Sequence, residues 1–302
     1  MTIAACYVSP EGIVLGADST TTFVLDASGT QHFYNYGQKL FEISGAAETG
    51  TFGAVTWGLG GLQVNSHRTL FALLADDIAN NPPASVLDVA NRWSTTFWNA
   101  YSDPNCPVAP FIANCKSLAA KKRYDPTAPV DPGMRTENEE RTLEQLRLGL
   151  VAGFCLAGYV PANRTPEGYT IIFDPLQTRP TPQRMPPAGW GFWGAPNMIQ
   201  RLIHGADDGL KENVLNSGKW TGTRAELDSL VMQSALAHPH NVPIRDAIDF
   251  VHACIFSTIK AFKFSSLSQI CGGPIELAVI TTDRPFRWVR HKSWDVAITY
   301  GD

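Results

Sequence analysis

Thr2-Ile3-Ala4-Ala5-Cys6-Tyr7-Val8, Ser9-Pro10-Glu11-Gly12 and Ile13-Val14-Leu15-Gly16-Ala17-Asp18-Ser19 form the stretch on which the fold turns. Two apolar runs of strand length flank a Pro- and Gly-bearing tetrapeptide, which reads as strand, tight turn, strand. Asp26-Ala27-Ser28-Gly29 marks a further turn. Gln38 to Ser44 and Thr51 to Leu59 read as a second strand pair around a Gly45 to Gly50 loop. The period then lengthens. Leu62 to Ile78 and Ser85 to Tyr101 carry helical spacing, with Asn80-Asn81-Pro82-Pro83 as the break and Ser85 as an N-cap.

From Ser102 to Met134 the periodicity dissolves among Pro104, Pro107, Pro110, Pro126, Pro129 and Pro132. The segment at about 102–136 reads as an insertion, because it lacks the apolar residues to close a core of its own. Glu137 to Arg147 is a charged helix candidate, and Leu148 to Tyr159 and Tyr169 to Phe173 resume as strands. Helices are expected over Asn197 to Leu215, Arg224 to His238 and Ile244 to Phe262. In the last, Ile244, Ala247, Ile248, Val251, Ile255, Ile259 and Phe262 form one apolar stripe. After Cys271-Gly272-Gly273, Ile275 to Thr281 and Phe286 to Arg290 form a closing strand pair. No repeat is visible. The pattern predicts one domain over 1–302, an α+β layered sandwich built on antiparallel sheets.

Composition narrows the function classes. Hydrophobic residues make up 44% of 302 and charged residues 17%, so a large core can be buried and wholesale disorder is excluded. A formal charge of −4 offers no basic surplus, so neither nucleic acid nor an anionic membrane is expected as a partner. The first 38 residues contain no Lys or Arg, and Pro10-Glu11-Gly12 interrupts the early apolar run, so no secretory or mitochondrial signal is expected. The longest apolar run, Leu148 to Val160, has 13 residues against the ~20 of a membrane-spanning helix. Without a CxxC pair among six cysteines, structural zinc is not expected; the chain reads as reduced and cytoplasmic, with no metal or cofactor. Cys106 and Cys115 read as unpaired, His238 and His240 as solvated loop residues, and Trp190 and Trp193 as core.

Thr2 is the first candidate for chemistry. A methionine ahead of a small residue is commonly trimmed, which would leave Thr2 at the N-terminus. Its α-amine, with an ordinary pKa of ~7.7–8.0, is then a built-in base for its own hydroxyl. Read singly, Asp18 is a strand-end acid, Lys39 a solvated strand-start cation, and Gly58 a tight-turn glycine.

Taken together, Thr2-Ile-Ala-Ala-Cys-Tyr-Val, the Gly12 turn, Gly16-Ala17-Asp18-Ser19 and Gln38-Lys39-Leu-Phe-Glu-Ile resemble the opening of proteasome β-type subunits and their bacterial Anbu-like relatives. These are N-terminal-nucleophile hydrolases, and the resemblance implies a four-layer αββα sandwich of two antiparallel sheets. Thr2, Asp18 and Lys39 fall on the family's three catalytic positions, Lys39 a few residues late because the Phe23 to Gly37 loop is longer. A lysine ammonium there favours loss of the threonine proton, and Asp18 holds the lysine through a charge-assisted hydrogen bond. Thr56-Trp57-Gly58-Leu59-Gly60-Gly61 resembles the strand-to-helix turn whose N–H forms the oxyanion hole. Gly58 aligns best, Gly60 if the register slips by two. Leu156-Ala157-Gly158-Tyr159, Tyr169 to Asp174, and Ile244 to Ile280 extend the resemblance, and 102–147 stays outside it.

The supporting positions depart from the family. Cys271 and Ser268 stand where a Ser and an Asp help orient the terminal amine, and Ala195 replaces another orienting Ser. Ser19 completes the supporting set. The implied activity is a threonine-type peptidase acting on peptide or protein substrates through an acyl-enzyme, with a small-molecule amide as a variant. The rival is a catalytically silent assembly subunit. A homo-oligomer, as a ring or open spiral, is implied for either.

Overall fold

The computed structural model describes the chain except residues 1, 25–30, 45–48, 128, 130, 237–241, 267–269 and 293–302. The chain opens with strands β1 (Ile3–Ser9), β2 (Gly12–Ala17), β3 (Thr21–Val24), β4 (Gln31–Tyr34), β5 (Leu40–Ser44) and β6 (Thr51–Gly58). Helices α1 (His67–Asn80), α2 (Val86–Tyr101), α3 (Ala109–Ala120) and α4 (Glu137–Leu150) follow. Then come β7 (Ala152–Tyr159), β8 (Glu167–Phe173), β9 (Gln183–Arg184) and β10 (Gly189–Gly194). Helices α5 (Asn197–His204), α6 (Asp208–Asn216), α7 (Arg224–Met232) and α8 (Ile244–Lys263) precede the closing β11 (Glu276–Thr281) and β12 (Arg284–Arg290). The architecture is α+β with two five-stranded antiparallel sheets. Two compact units divide these elements, one built from Met1–Lys39, Pro186–Val279 and Arg287–Asp302, the other from Leu40–Met185 and Ile280–Phe286.

The first unit carries the sheet β10-β1-β2-β11-β12. All residues of β1 and β2 are buried, which is what continuous apolar runs, rather than alternation, demand of a strand. Their antiparallel register sets Ala4 opposite Ala17 and closes at Ser9 opposite Gly12. Helix α8 packs on both strands and buries Ala247, Val251 and Ile255 of its stripe together with Cys254. The contact is close at Gly16, where a Cβ would lie 2.7 Å from Val251 Cγ1 and 2.8 Å from Ile255 Cδ1. Tyr7 stacks on Trp190 at 3.9 Å between ring centroids, and its hydroxyl accepts from Val242 N at 3.1 Å just before α8. Trp190 is therefore a packing residue, as expected.

The second unit carries the sheet β5-β6-β7-β8-β9, with α1 and α2 packed against β5, β7 and β8. Ser85 caps α2 by accepting from Asp88 N, as its sequence position predicts. The core is aromatic: Phe71 stacks on Trp93 at 3.9 Å, and Phe97 and Phe154 sit 4.8 Å apart. The 102–136 insertion differs from the irregular segment expected. It holds α3, whose Ile112, Cys115 and Leu118 join this core, so its apolar residues serve the unit's core rather than one of their own.

Other elements also differ from expectation. The helix expected over Asn197 to Leu215 is two helices, broken at Gly205 with φ +79° and restarted by Asp207, whose side chain accepts from Leu210 N. The helix expected to reach His238 ends at Met232, and His238 and His240 lie outside the described residues. The strand expected from Leu148 starts at Ala152, because the capping box of Thr136 and Glu139 launches an α4 that continues to Leu150. The β3–β4 hairpin and the strands β9 and β10 were not expected. None of the six cysteines is in a disulfide and all are buried, Cys106 and Cys115 among them. Among the described residues, no helix is long and apolar enough to cross a membrane, and no group of three His, Cys, Asp or Glu is disposed to hold a metal.

One polar group sits inside the aromatic cluster. His67 is buried, its ring lies 5.1 Å from that of Phe154, and its Nε2 has no hydrogen-bond partner among the described residues. Burial pulls its pKa down to about 4. The folded chain therefore holds His67 neutral while the unfolded chain protonates it below about 6.5. Stability is fully present above that pH and falls by roughly 3 kcal/mol as pH drops from 6.5 to 4. Urea midpoints measured across this range should fall on acidification, and His67→Leu should flatten the profile. An unchanged slope in the variant would exclude His67 as the cause.

Candidate active site

Strand β2 ends at Ala17 and delivers Asp18 into the interior, fully buried. Asp18 N continues the ladder to Ile3 O at 3.1 Å, and its carboxylate then collects four donors. Oδ1 accepts from Ile3 N at 3.0 Å and from Lys39 Nζ at 2.7 Å. Oδ2 accepts from Gly272 N at 2.8 Å and from Thr20 N at 3.3 Å. A buried carboxylate tolerates ionisation only with such partners, and here three of the four are backbone N–H groups.

Lys39 is 5% exposed and also donates to the Thr20 carbonyl. Burial pulls its pKa below the ordinary lysine value, opposed by the charge of Asp18 and its hydrogen bond. The pair therefore holds an ammonium with a carboxylate on one side and a carbonyl on another.

The Cys271-Gly272-Gly273 turn closes the far side. Gly272 O accepts from Ser19 N at 3.0 Å and from Thr20 N at 3.1 Å. Gly273 has φ +68°, and a Cβ there would lie 2.4 Å from Asn35 O, so the turn requires glycine. Thr2, 5% exposed, immediately precedes the Ile3 amide bound to Asp18. Its carbonyl oxygen would lie 1.9 Å from a Cβ on Gly194, at φ +86°, so β10 approaches Thr2 only because that residue is glycine. Lys39 and the backbone amide of Ile3, the residue after Thr2, thus meet on the Asp18 carboxylate.

The supporting positions divide. Cys271 is fully buried, and burial, with Asp18 nearby, pushes its thiol up to about 12, which makes it a neutral packing residue and a poor nucleophile. Ser19 is fully buried, and its Oγ has no hydrogen-bond partner among the described residues. Ala195 is buried without a hydroxyl to offer. Ser268 lies outside the described residues. Gly58 belongs to the second unit, exposed at the end of β6 with φ +82°, where a Cβ would lie 2.2 Å from Val151 O. Gly60 lies two residues beyond the strand, also exposed. Reading the sequence missed the Thr20 carbonyl and the Gly272 amide as partners of the ion pair. The polar run Ser19-Thr20-Thr21-Thr22 after a buried strand was the available signal.

No protein-family model matches the sequence, and a comparison with curated proteins finds no match. Among solved structures the chain is similar to the Gly-1 mutant of Anbu from Hyphomicrobium sp. strain MC1. The identity is 12% and the TM-score 0.48, over 97% of this chain and 86% of that one. It is also similar to Anbu, described as the ancestral beta-subunit, from Yersinia bercovieri. There the identity is 10% and the TM-score 0.44, over 96% of this chain and 88% of that one. With both TM-scores below 0.5, the likeness carries no functional conclusion.

The hydrogen bonds rank two substitutions. Asp18→Asn leaves the Lys39 ammonium buried without its carboxylate and turns an amide N–H₂ toward donors, at a cost of about 3–5 kcal/mol. Lys39→Met leaves Asp18 its three backbone N–H groups and should cost less. Chemical denaturation of both variants gives the order, and a reversed order would show that the carboxylate is not the centre of the network.

Proposed function

We propose that this chain is an N-terminal threonine hydrolase that cleaves peptide or amide bonds through an acyl-enzyme. The observation that supports it is the buried Lys39–Asp18 pair, 2.7 Å long, whose Oδ1 also binds the amide next to Thr2. Release of everything before Thr2 would free an α-amine at that point.

In the proposed reaction, Thr2 Oγ attacks the substrate carbonyl while the α-amine takes the hydroxyl proton, directly or through water. The Lys39 ammonium stabilises the alkoxide character that develops on Oγ, and Asp18 holds that ammonium in place. The oxyanion donor is assigned by the resemblance alone, to the Gly58 N–H. The α-amine returns its proton to the leaving amine, the C–N bond breaks, and an ester to Thr2 remains. Water, deprotonated by the same amine, hydrolyses the ester and restores the hydroxyl. No metal or cofactor enters this scheme. A homo-oligomeric, cytoplasmic enzyme acting on peptides or proteins is the companion proposal, with a small amide as the alternative substrate.

A silent assembly subunit is the second reading. It is favoured by the neutral thiol of Cys271 and the methyl group of Ala195, where the resemblance expects hydroxyls that orient the amine. Intact mass and N-terminal sequencing of the purified chain divide the two readings, since a residue retained ahead of Thr2 blocks the amine. In the enzyme, a β-lactone or epoxyketone labels Thr2, and Thr2→Ala abolishes labelling and lowers turnover of a fluorogenic peptide panel by roughly 10³-fold or more. Labelling that survives in Thr2→Ala would refute the nucleophile.

A further inference from the structure

Glu276 is a fully buried carboxylate inside an apolar run, Ile275-Glu276-Leu277-Ala278-Val279-Ile280. Its Oε2 accepts from Lys292 Nζ at 3.1 Å, and its Oε1 lies 2.7 Å from His291 Nδ1. The Lys292 side chain is itself only 8% exposed. An ion pair this deep is not explained by stability alone, because apolar residues of similar volume at such positions are commonly neutral or stabilising. A second role has a visible geometry.

Lys292 Nζ also donates to the carbonyl of Gly37, at 3.0 Å. Gly37 lies two residues before Lys39, and its N–H donates to Ser19 O at 2.8 Å. A Cβ on Gly37 would lie 2.2 Å from Thr21 Oγ1, so the segment lies closely against Thr21. The approach to Lys39 is thus held from both faces, by the residue after Asp18 and by Lys292. Burial weighs most against the Lys39 charge; of the charged groups that act on it, Asp18 favours its protonated form and Lys292 opposes it, while the neighbouring Cys271 thiol is neutral.

We propose that the Glu276–Lys292 pair is a positioning device for Lys39, anchoring its backbone through the Gly37 carbonyl and setting a second positive charge against its ammonium. Its catalytic consequence rests on the hydrolase reading: Lys39 would hold the Thr2 alkoxide as a cation closer to losing its proton than Asp18 alone would make it. Glu276 neutralises Lys292 enough for two ammonium groups to share one interior.

The test uses the full-length chain with lysine labelled at the side-chain carbon and nitrogen, the Lys39 signal being assigned with Lys39→Arg. In Lys292→Met, Lys39 should hold its proton to higher pH, shifting its protonation equilibrium by about 2- to 10-fold. Amide exchange at Gly37 should quicken in the same variant, and Lys292→Arg should restore both values. Lys292→Gln keeps a donor without the charge, so it should shift the Lys39 titration while sparing Gly37, and it supplies the readout if Lys292→Met does not fold. Wild-type titration and exchange in a folded neutral variant would overturn the proposal, and so would a chain that folds with neither neutral residue, since the pair would then be purely structural. Thr2 labelling separates the outcomes. If wild-type Thr2 is inert but Lys39 shifts, the hydrolase reading alone fails; if Thr2 labels with its alkaline limb unmoved by Lys292→Met and no Lys39 shift, the positioning proposal alone fails.

Discussion

A single carboxylate organises the first unit. Asp18 receives hydrogen bonds from four places in the chain: the start of β1, the residues after β2, the lysine that leads into β5, and a turn 254 residues away. A charge taken out of water needs every one of its lone pairs answered, or its burial is costly. The strands that deliver these donors are apolar and pack without direction, so the carboxylate supplies directional information that packing lacks. It also fixes a lysine in the interior, which no hydrophobic rule would place there.

Around that carboxylate the backbone comes unusually close, and glycine makes this possible at two positions. Gly194 admits the Thr2 carbonyl, and Gly273 admits the Asn35 carbonyl, each at a φ that a side chain would resist. The side chains around them are less fully satisfied. Ser19 keeps a buried hydroxyl without a partner among the described residues, and an unanswered hydroxyl costs about 1–3 kcal/mol in a folded interior. The site thus combines an over-determined ion pair with an under-determined rim, and the chemistry proposed for it draws on the ion pair.

How much of this was legible depended on how local each cause is. The β1–β2 hairpin could be read because its turn and both apolar runs lie within eighteen residues, and the α2 cap because Ser85 and Asp88 are three apart. Strand β10 could not. Gly189-Trp190-Gly191-Phe192-Trp193-Gly194 carries three glycines just after Pro186-Pro187, and only pairing with β1 makes it a strand. Asp18 and Lys39 were legible through a motif near the N-terminus. The Glu276–Lys292 pair was not, since its contact with Gly37 spans 255 positions, and an acid within an apolar strand was its only trace. Helix α3 was obscured by the prolines on either side of it, although Ile112, Cys115 and Leu118 carry a helical period.

That last helix changes what the proline-bearing segment is. Because Ile112, Cys115 and Leu118 belong to the same core cluster as Tyr101 and Leu150, excising the segment would not trim a surface ornament but would hollow out the aromatic body it joins. A shortened homologue must therefore refill that space with bulkier side chains elsewhere, and grafting the segment onto a foreign scaffold would transplant a plug without its socket.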